Sequence, residues 1–571
     1  MSHPIGKEPR PGVHNDSMTP PRHWGPFLAL PTDILGEIPA YLPLSSTPQT
    51  LLALCLASRK SYEHFHSNLW SNVIFQDSSL ALSTLRRLSA LPSVPCYPAN
   101  QIHAIRFKSR VEEEDDSDSI DTAAETTLHA LTELVEEGRL PALHTLELNL
   151  RRFWPDHHTS LPGRDVTAFG EILDALLAAI RAHCPHVRSI ELKGLADHVD
   201  DETGHKGWIH KSQLFQFKNL TELAVRFYCS SIEPPENLQI FEFAGTLSHS
   251  LRSLSLESQL DDGAELSPLF SMSFPRLQTL KLGSQSLFEP SIAMDFWRRH
   301  PLLETLVLPW SDDRQPKFTQ LGADAAGTFL PRLRHLTVPW HDARALAPIL
   351  PQLRSLEISQ SANGQVPYLL REVIPVGLPN LRSLTVHQTA DKRARGEGVL
   401  WYEDHSTGEF VHVERPRGAP RWSIDAVLDP SWMQSIIKAC PYLEEFAIDS
   451  VSTVENVPEH YASIAPHLAR LNYLRRFFYH GRTPSLASLV DSEQSTDQLL
   501  SSARTIAVAC PLLEEVGDIS ATPPEGYVTV RVTRRDGSSE IADAWIELGP
   551  GLRVGRENNA FPVSNTCAAL Y

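Results

Sequence analysis

One short motif recurs along most of this chain, and it limits the possible folds more than any other feature. Its form is Pro-x-Leu-x-x-Leu-x-Leu, with the proline not obligatory. It appears as PALHTLEL (141–148), PHVRSIEL (185–192), KNLTELAV (218–225), HSLRSLSL (249–256), PRLQTLKL (275–282) and PLLETLVL (301–308). It continues as PRLRHLTV (331–338), PQLRSLEI (351–358), PNLRSLTV (379–386), PYLEEFAI (441–448) and NYLRRFFY (472–479). PLLEEVGD (511–518) loses the last apolar position, as a worn terminal copy would. Upstream, Ile102, Ile105 and Phe107 fit the same template and are expected to form the first strand. So many matches at one spacing make an internal repeat.

The spacing has a physical meaning. Apolar residues at i, i+3 and i+5 put the last two on one face of a short strand, and the residues between them on the other. Helix-like segments alternate with the strands, as in 168–184, 292–300, 431–440 and 497–510. A strand and a helix per unit of about 20–29 residues describe a leucine-rich-repeat solenoid. No unit buries its apolar face alone, so stacked neighbours supply the stability. Several gaps between motifs are longer, which makes the repeats irregular.

Composition narrows the function classes. The 571 residues carry 51 basic and 69 acidic side chains, a formal charge of −18, which disfavours binding to nucleic-acid phosphates. No run approaches the roughly 18 apolar residues of a membrane-spanning helix. The polar, proline-rich start has no apolar signal region, so a cytoplasmic or nuclear location is expected, with no membrane partner. The seven cysteines are scattered, with no CxxC pair, which points to free thiols and offers no zinc ligand cluster. Cys184, Cys440 and Cys510 each precede a proline or its turn at the same repeat position, and read as small packing residues. Phosphate-loop, HExxH and GxSxG motifs are lacking. His157-His158 and His64-x-His66 read as surface or packing residues rather than metal ligands. The expectation is a non-enzyme with no catalytic residues, no metal and no cofactor.

Three segments break the repeat. EEEDDSD (112–118) is a charge block expected to be a solvated loop. VLWYEDHSTGEFVHVE (399–414), inside an insertion at 389–430, alternates like a hairpin. YVTVRVTRRDGSSEIADAWIEL (527–548), with Asp536-Gly537 at its turn, reads as a second hairpin capping the last strand edge.

The segment 28–75 predicts three short helices. Thr32 caps the first, Thr47-Pro48 start the second and Ser58 caps the third, with Tyr62 and Phe65 inward. Its residues Leu30-Pro31-x-x-Ile34-Leu35-x-x-Ile38-x-x-Tyr41-Leu42, then Leu51-Leu52-Ala53-Leu54-Cys55, Ser58-Arg59 and Leu69-Trp70, resemble the F-box. With the repeats behind it, the chain resembles F-box/leucine-rich-repeat proteins, particularly irregular fungal ones. Gly36 and Pro39, inside the first helix, depart from the family pattern. The resemblance implies an adaptor within a ubiquitin ligase of the SCF, cullin–RING type. Leu30, Pro31, Ile34, Leu35, Ile38 and Leu42 would bind the Skp-type adaptor, and through it cullin, while the repeats hold a protein substrate. Two other readings stay open. The helices are a cap on the solenoid, or the whole chain is a repeat scaffold that works without a ligase.

The resulting division is a tail (1–25), an F-box-like helical module (26–76), a solenoid (77–526) and a hairpin cap with its tail (527–571). Substrate-facing strand positions include Glu147, Asn149, Glu191, Lys193, Arg226, Glu257, Lys281, Glu357, His387 and Asp449. A sharper feature is LVLPWSDDR (306–314) repeated as LTVPWHDAR (336–344), which would stack Trp310 on Trp340, Asp313 near Asp342 and Arg314 near Arg344. Trp310, Trp340, Arg314 and Arg344 are the substrate-binding candidates, because tryptophan and arginine are enriched in interface hot spots. The alternative is an internal ladder that packs the loops.

Overall fold

The computed structural model describes residues 54–56, 59, 65, 70–75, 78–90, 98–107, 117–149, 166–196, 212–228, 240, 242–259, 267–283, 290–308, 317–361, 365–388, 399–403, 410–414, 430–449, 457–480, 493–517, 527–534 and 541–549. Contact density divides the chain into two units, Met1–Leu69 and Trp70–Tyr571. Within the first, Leu54–Leu56, Arg59 and Phe65 are helical; Leu54, Cys55 and Phe65 are buried, whereas Leu56 is 77% exposed.

The second unit is an α/β repeat built on one 16-stranded sheet. Its strands follow chain order: β1 Asn72–Phe75, β2 Ala104–Phe107, β3 Thr145–Asn149, β4 Ser189–Ala196, β5 Glu222–Tyr228 and β6 Ser253–Gln259. Then come β7 Thr279–Leu282, β8 Thr305–Val307, β9 His335–Val338, β10 Ser355–Ser361 and β11 Ser383–Gln388. A separate antiparallel pair, β12 Val399–Glu403 with β13 Phe410–Glu414, intervenes. The sheet resumes with β14 Glu445–Asp449, β15 Arg476–His480 and β16 Glu515–Gly517, all parallel. The antiparallel β17 Tyr527–Arg534 and β18 Ile541–Gly549 close its edge. Each parallel strand pairs with the preceding strand of the same sheet, β14 with β11 across the separate hairpin, the topology of a solenoid rather than of a doubly wound sheet.

The repeat motif sets the register. Leu254, Leu280 and Leu306 are Cα partners in one row, and Leu336, Leu356, Leu384, Phe446 and Phe477 continue it. All are buried, and they belong to one continuous core. Truncating one such leucine to alanine costs about 2–5 kcal/mol. The proline of the motif also has a structural reason. The residue before it accepts a hydrogen bond from the motif's first leucine, as in Val187 N–H to Cys184 O (3.2 Å), Leu303 to His300 (3.1 Å) and Leu513 to Cys510 (3.0 Å). Proline therefore sits at the second position of a tight turn, where its fixed φ is pre-set. Strand entry is equally repetitive. The Arg354 carbonyl accepts both Arg382 N–H (2.7 Å) and Ser383 N–H (3.1 Å), and the same fork recurs from His103 to Arg475.

Helices fill the other layer. They include α1 Ser78–Ala90, α2 Ser117–Glu136, α3 Val166–His183, α4 Pro290–Arg299, α5 Trp340–Ala345, α6 Pro430–Ala439, α7 Val457–Leu468 and α8 Glu493–Ala509. Two expectations change. The first strand is β1, not Ile102–Phe107, and Trp70, Val73 and Phe75 carry the i, i+3, i+5 spacing with tryptophan in the leucine position. Of the acidic run expected as a loop, Ser117 and Asp118 begin α2 instead, and 112–116 lie outside the described residues.

Around α4 the core is aromatic. Phe270, Phe274, Phe296 and Trp297 are all fully buried, and Phe270 meets both Phe296 (5.0 Å) and Trp297 (5.3 Å) in T-shaped pairs. Edge-to-face packing matches the quadrupoles of the rings.

Candidate protein-interaction surfaces

Side chains between the leucine rows project from the sheet face opposite the helices. Over β2–β4 they form a charged net. Arg106 Nε lies 3.5 Å from Glu147 Oε2, and Lys193 Nζ lies 3.7 Å from Glu147 Oε1 and 2.5 Å from Glu191 Oε1. Over β5–β6, Arg226 Nε lies 3.5 Å from Glu257 Oε2. Burial alone would raise the Glu191 pKa, but Lys193, then Lys281 and Arg106, hold it below the usual carboxylate range. The side chains of Lys193 (33%) and Glu191 (30%) keep substantial exposure, so this stretch of the face is open to a partner.

From β9 onward the same face closes on itself. Glu357 and His387 are buried, with Oε1 and Nε2 3.4 Å apart, and the Thr337 hydroxyl donates to Glu357 Oε2 at 3.4 Å. Glu445 is fully buried; it receives the Ser383 hydroxyl at 3.4 Å and faces Arg476 Nε at 3.2 Å. Arg531 Nη1 continues the alternation 3.5 Å from Glu515 Oε2. Desolvation offsets most of the attraction in such pairs, so they specify strand order more than they stabilise. The substrate-facing set read from the sequence therefore separates into an accessible part, Asn149, Glu191, Lys193, Arg226, Glu257 and Lys281 on β3–β7, and a buried part, Glu147, Glu357 and His387. The Asp449 side chain lies outside the described residues.

The tryptophan–arginine repeat has a different environment. Trp340 opens α5 and is 3% exposed, within the core, and Arg344 stands over its ring at 5.7 Å. Trp310, Asp313 and Arg314 lie outside the described residues. Asp342 is fully buried rather than at a surface edge, and its Oδ1 accepts Lys317 N–H (2.6 Å) and Phe318 N–H (3.1 Å). This carboxylate clamps the chain entering from the β8–β9 connection. Burial, opposed by Lys317 and the two backbone donors, raises the Asp342 pKa to about 7. Burial lowers the Lys317 amine to about 8, with Asp342 opposing. The clamp was missed in sequence because its partners are backbone N–H groups, which leave no residue signature.

Cys184, Cys440 and Cys510 are buried free thiols at the turn position before the proline. Burial pushes them up to about 11, 12 and 12, far from a reactive thiolate. Among the described residues no three His, Cys, Asp or Glu side chains converge to hold a metal ion. No described helix is long and apolar enough to cross a membrane. The adaptor-binding set Leu30, Pro31, Ile34, Leu35, Ile38 and Leu42 lies outside the described residues.

No family profile matches the chain. No curated protein matches it either. Among solved structures it is similar to a chain in the crystal structure of the Rad7 and Elc1 complex in yeast, at 11% identity and a TM-score of 0.36. That similarity covers 79% of this chain and 87% of the other.

Proposed function

We propose that this chain is a substrate-recognition adaptor of an SCF-type cullin–RING ubiquitin ligase. The F-box-like segment would bind the Skp-type adaptor, and the repeats would hold a protein substrate. The chain itself performs no chemistry. Its contribution is proximity, because holding a substrate beside a loaded enzyme raises the effective concentration of the reacting groups. The observation that supports this most is the order of parts. All but Trp70 of the residues that carry the F-box resemblance fall within the unit Met1–Leu69, and the repeat sheet starts soon after it at Asn72. A parallel repeat sheet with an accessible charged face is suited to binding proteins rather than to catalysis.

Co-purification with a Skp-type adaptor tests the reading, comparing the wild type with Leu35→Asp/Ile38→Asp. Circular dichroism checks that the variant keeps its fold. Binding by the wild type and its loss in the folded variant is the expected result. A folded wild type that binds no adaptor sinks the ligase assignment and leaves a repeat scaffold.

A further inference from the structure

The turn that opens each repeat brings one residue, the motif's second, to or near the surface. In earlier repeats that residue is exposed at His186, Arg332 and Asn380 and half-buried at Ala142, Leu302 and Gln352. In the last three it is Tyr442, Tyr473 and Leu512, exposed by 42%, 45% and 43%. The remaining large apolar side chains exposed in the repeat unit, among the described residues, are Val376 (76%) and Val508 (75%). Val376 occupies the same place in another tight turn, closed by Gly377 N–H to Ile374 O at 2.9 Å. Val508 lies on the last turn of α8, just before Leu512. Among the described residues, every exposed large apolar residue of this unit thus falls in its last four parallel repeats, which concentrates them at one end of the sheet.

Two of these residues meet, and basic side chains surround them. The Tyr442 and Tyr473 rings stand 5.4 Å apart, and Arg382 covers Tyr442 at 5.1 Å. Arg475 lies two residues beyond Tyr473 and pairs with Glu514 at 3.0 Å. Lys438, Arg470 and Arg504 are exposed on the adjoining helix ends and turns. Two of these five cations pair with anions, Arg382 with Glu444 and Arg475 with Glu514. Glu372, four residues before Val376, is a further exposed anion, which leaves a basic excess on a chain whose net charge is −18. Cations at helix C-termini also complement the macrodipole, which accounts for Lys438 but not for Arg382 or Arg475 on the strand side.

We propose that this edge binds an acidic amphipathic helix of a partner protein. Charge complementarity selects the acidic face, and spacing selects the helix. The ring-to-ring step of 5.4 Å is close to one α-helical turn, about 5.4 Å, so apolar residues three or four apart on a helix match the two tyrosines. Same-face side chains of an extended strand repeat every ~6.7 Å and fall out of step. The inference is independent of the ligase assignment, since neither the patch nor its test involves the adaptor.

The test is fluorescence anisotropy of the full chain with a labelled, glutamate-rich stapled helix carrying leucine at i, i+4 and i+7. A lysine-rich helix with the same leucines serves as the control. The expected result is saturable, salt-sensitive binding of the acidic helix, weakened about tenfold or more by Tyr442→Ser/Tyr473→Ser. Arg475→Glu/Arg504→Glu supplies a second variant that leaves the apolar residues in place, and it is expected to weaken binding comparably. No binding, equal binding of the lysine-rich helix, or binding unaffected in either variant overturns the proposal. Concentration-dependent dimerisation lost in the tyrosine variant also overturns it, by assigning the patch to a second copy of this chain.

Discussion

The imidazole Nε2 of His300 accepts the backbone N–H of Phe274 at 2.8 Å, while Nδ1 lies 2.6 Å from the Phe296 carbonyl. These contacts fix one neutral tautomer, with the proton on Nδ1. Burial, and then Arg299, lowers its pKa against the backbone bond. His335, lowered by burial, Arg354 and Arg334, and His341, lowered by burial and Lys317, sit at about 4 against the usual 6.5. Unfolded, each of the three takes up a proton below pH 6.5 that the folded chain resists, so stability is whole above 6.5 and falls on acidification. For His335 and His341 the loss runs from 6.5 down to about 4, with a slope of about 1.4 kcal/mol per pH unit for each. Asp342 acts oppositely: its pKa is raised to about 7 from 3.8, so the folded state binds its proton first and gains stability as pH falls below 7. Asp174, raised by burial, acts in the same sense as Asp342, and Glu191, which burial would raise but its cations hold low, in the opposite one. The three histidines with Glu191 against the two aspartates give a net loss. Urea midpoints measured across this range are expected to fall with acidification.

His300→Leu leaves the Phe274 N–H buried and unpaired. The expected cost at neutral pH is about 1–3 kcal/mol, with a shallower acid slope than the wild type, read from urea melts at two pH values.

Asp342→Ala removes the acceptor for two buried N–H groups, those of Lys317 and Phe318. A loss of about 2–4 kcal/mol is expected, with Asp342→Asn recovering part of it because an amide oxygen still accepts. Equal losses in the two variants would show that the carboxylate geometry is not what holds the segment.

Gly377 has φ +70, and a Cβ there would stand 2.9 Å from the Ala439 carbonyl oxygen. Gly377→Ala therefore combines left-handed strain with a backbone clash, and is expected to cost about 1–2 kcal/mol or more in thermal unfolding.

Arg534 reaches from β17 to the end of α8, where its Nη2 donates to the carbonyls of Ala507 (2.8 Å) and Cys510 (2.9 Å). Arg534→Ala frees these acceptors, at about 1–2 kcal/mol. The effect is expected to be local: faster amide exchange in β17 and the last turn of α8, with the leucine rows of earlier repeats unchanged.

Much of the fold was legible because the repeat encodes it locally. The helices expected at 168–184, 292–300, 431–440 and 497–510 are found at Val166–His183, Pro290–Arg299, Pro430–Ala439 and Glu493–Ala509. β1 escaped because tryptophan replaces its first leucine and no proline turn precedes it. On the candidate surfaces the residue types were legible, but their exposure was not. Glu191 and Glu357 occupy the same strand position in two repeats, yet Glu191 is 30% exposed and Glu357 is 5%. The difference comes from what packs against each, and the motif does not encode that.

By itself the sequence determined the repeating strand, the row of buried leucines and the tight turn before each strand. Spacing within eight residues dictates all three, through side-chain alternation and the fixed φ of proline. Only the tertiary structure decided which charges remain open, that Asp342 is a buried clamp, and that Tyr442 meets Tyr473. Those outcomes depend on residues far apart in the chain, such as Lys317 with Asp342 and Arg382 with Tyr442, 25 and 60 positions apart. Burial and hydrogen bonding are set by the neighbours that stacking supplies, and no single repeat contains them.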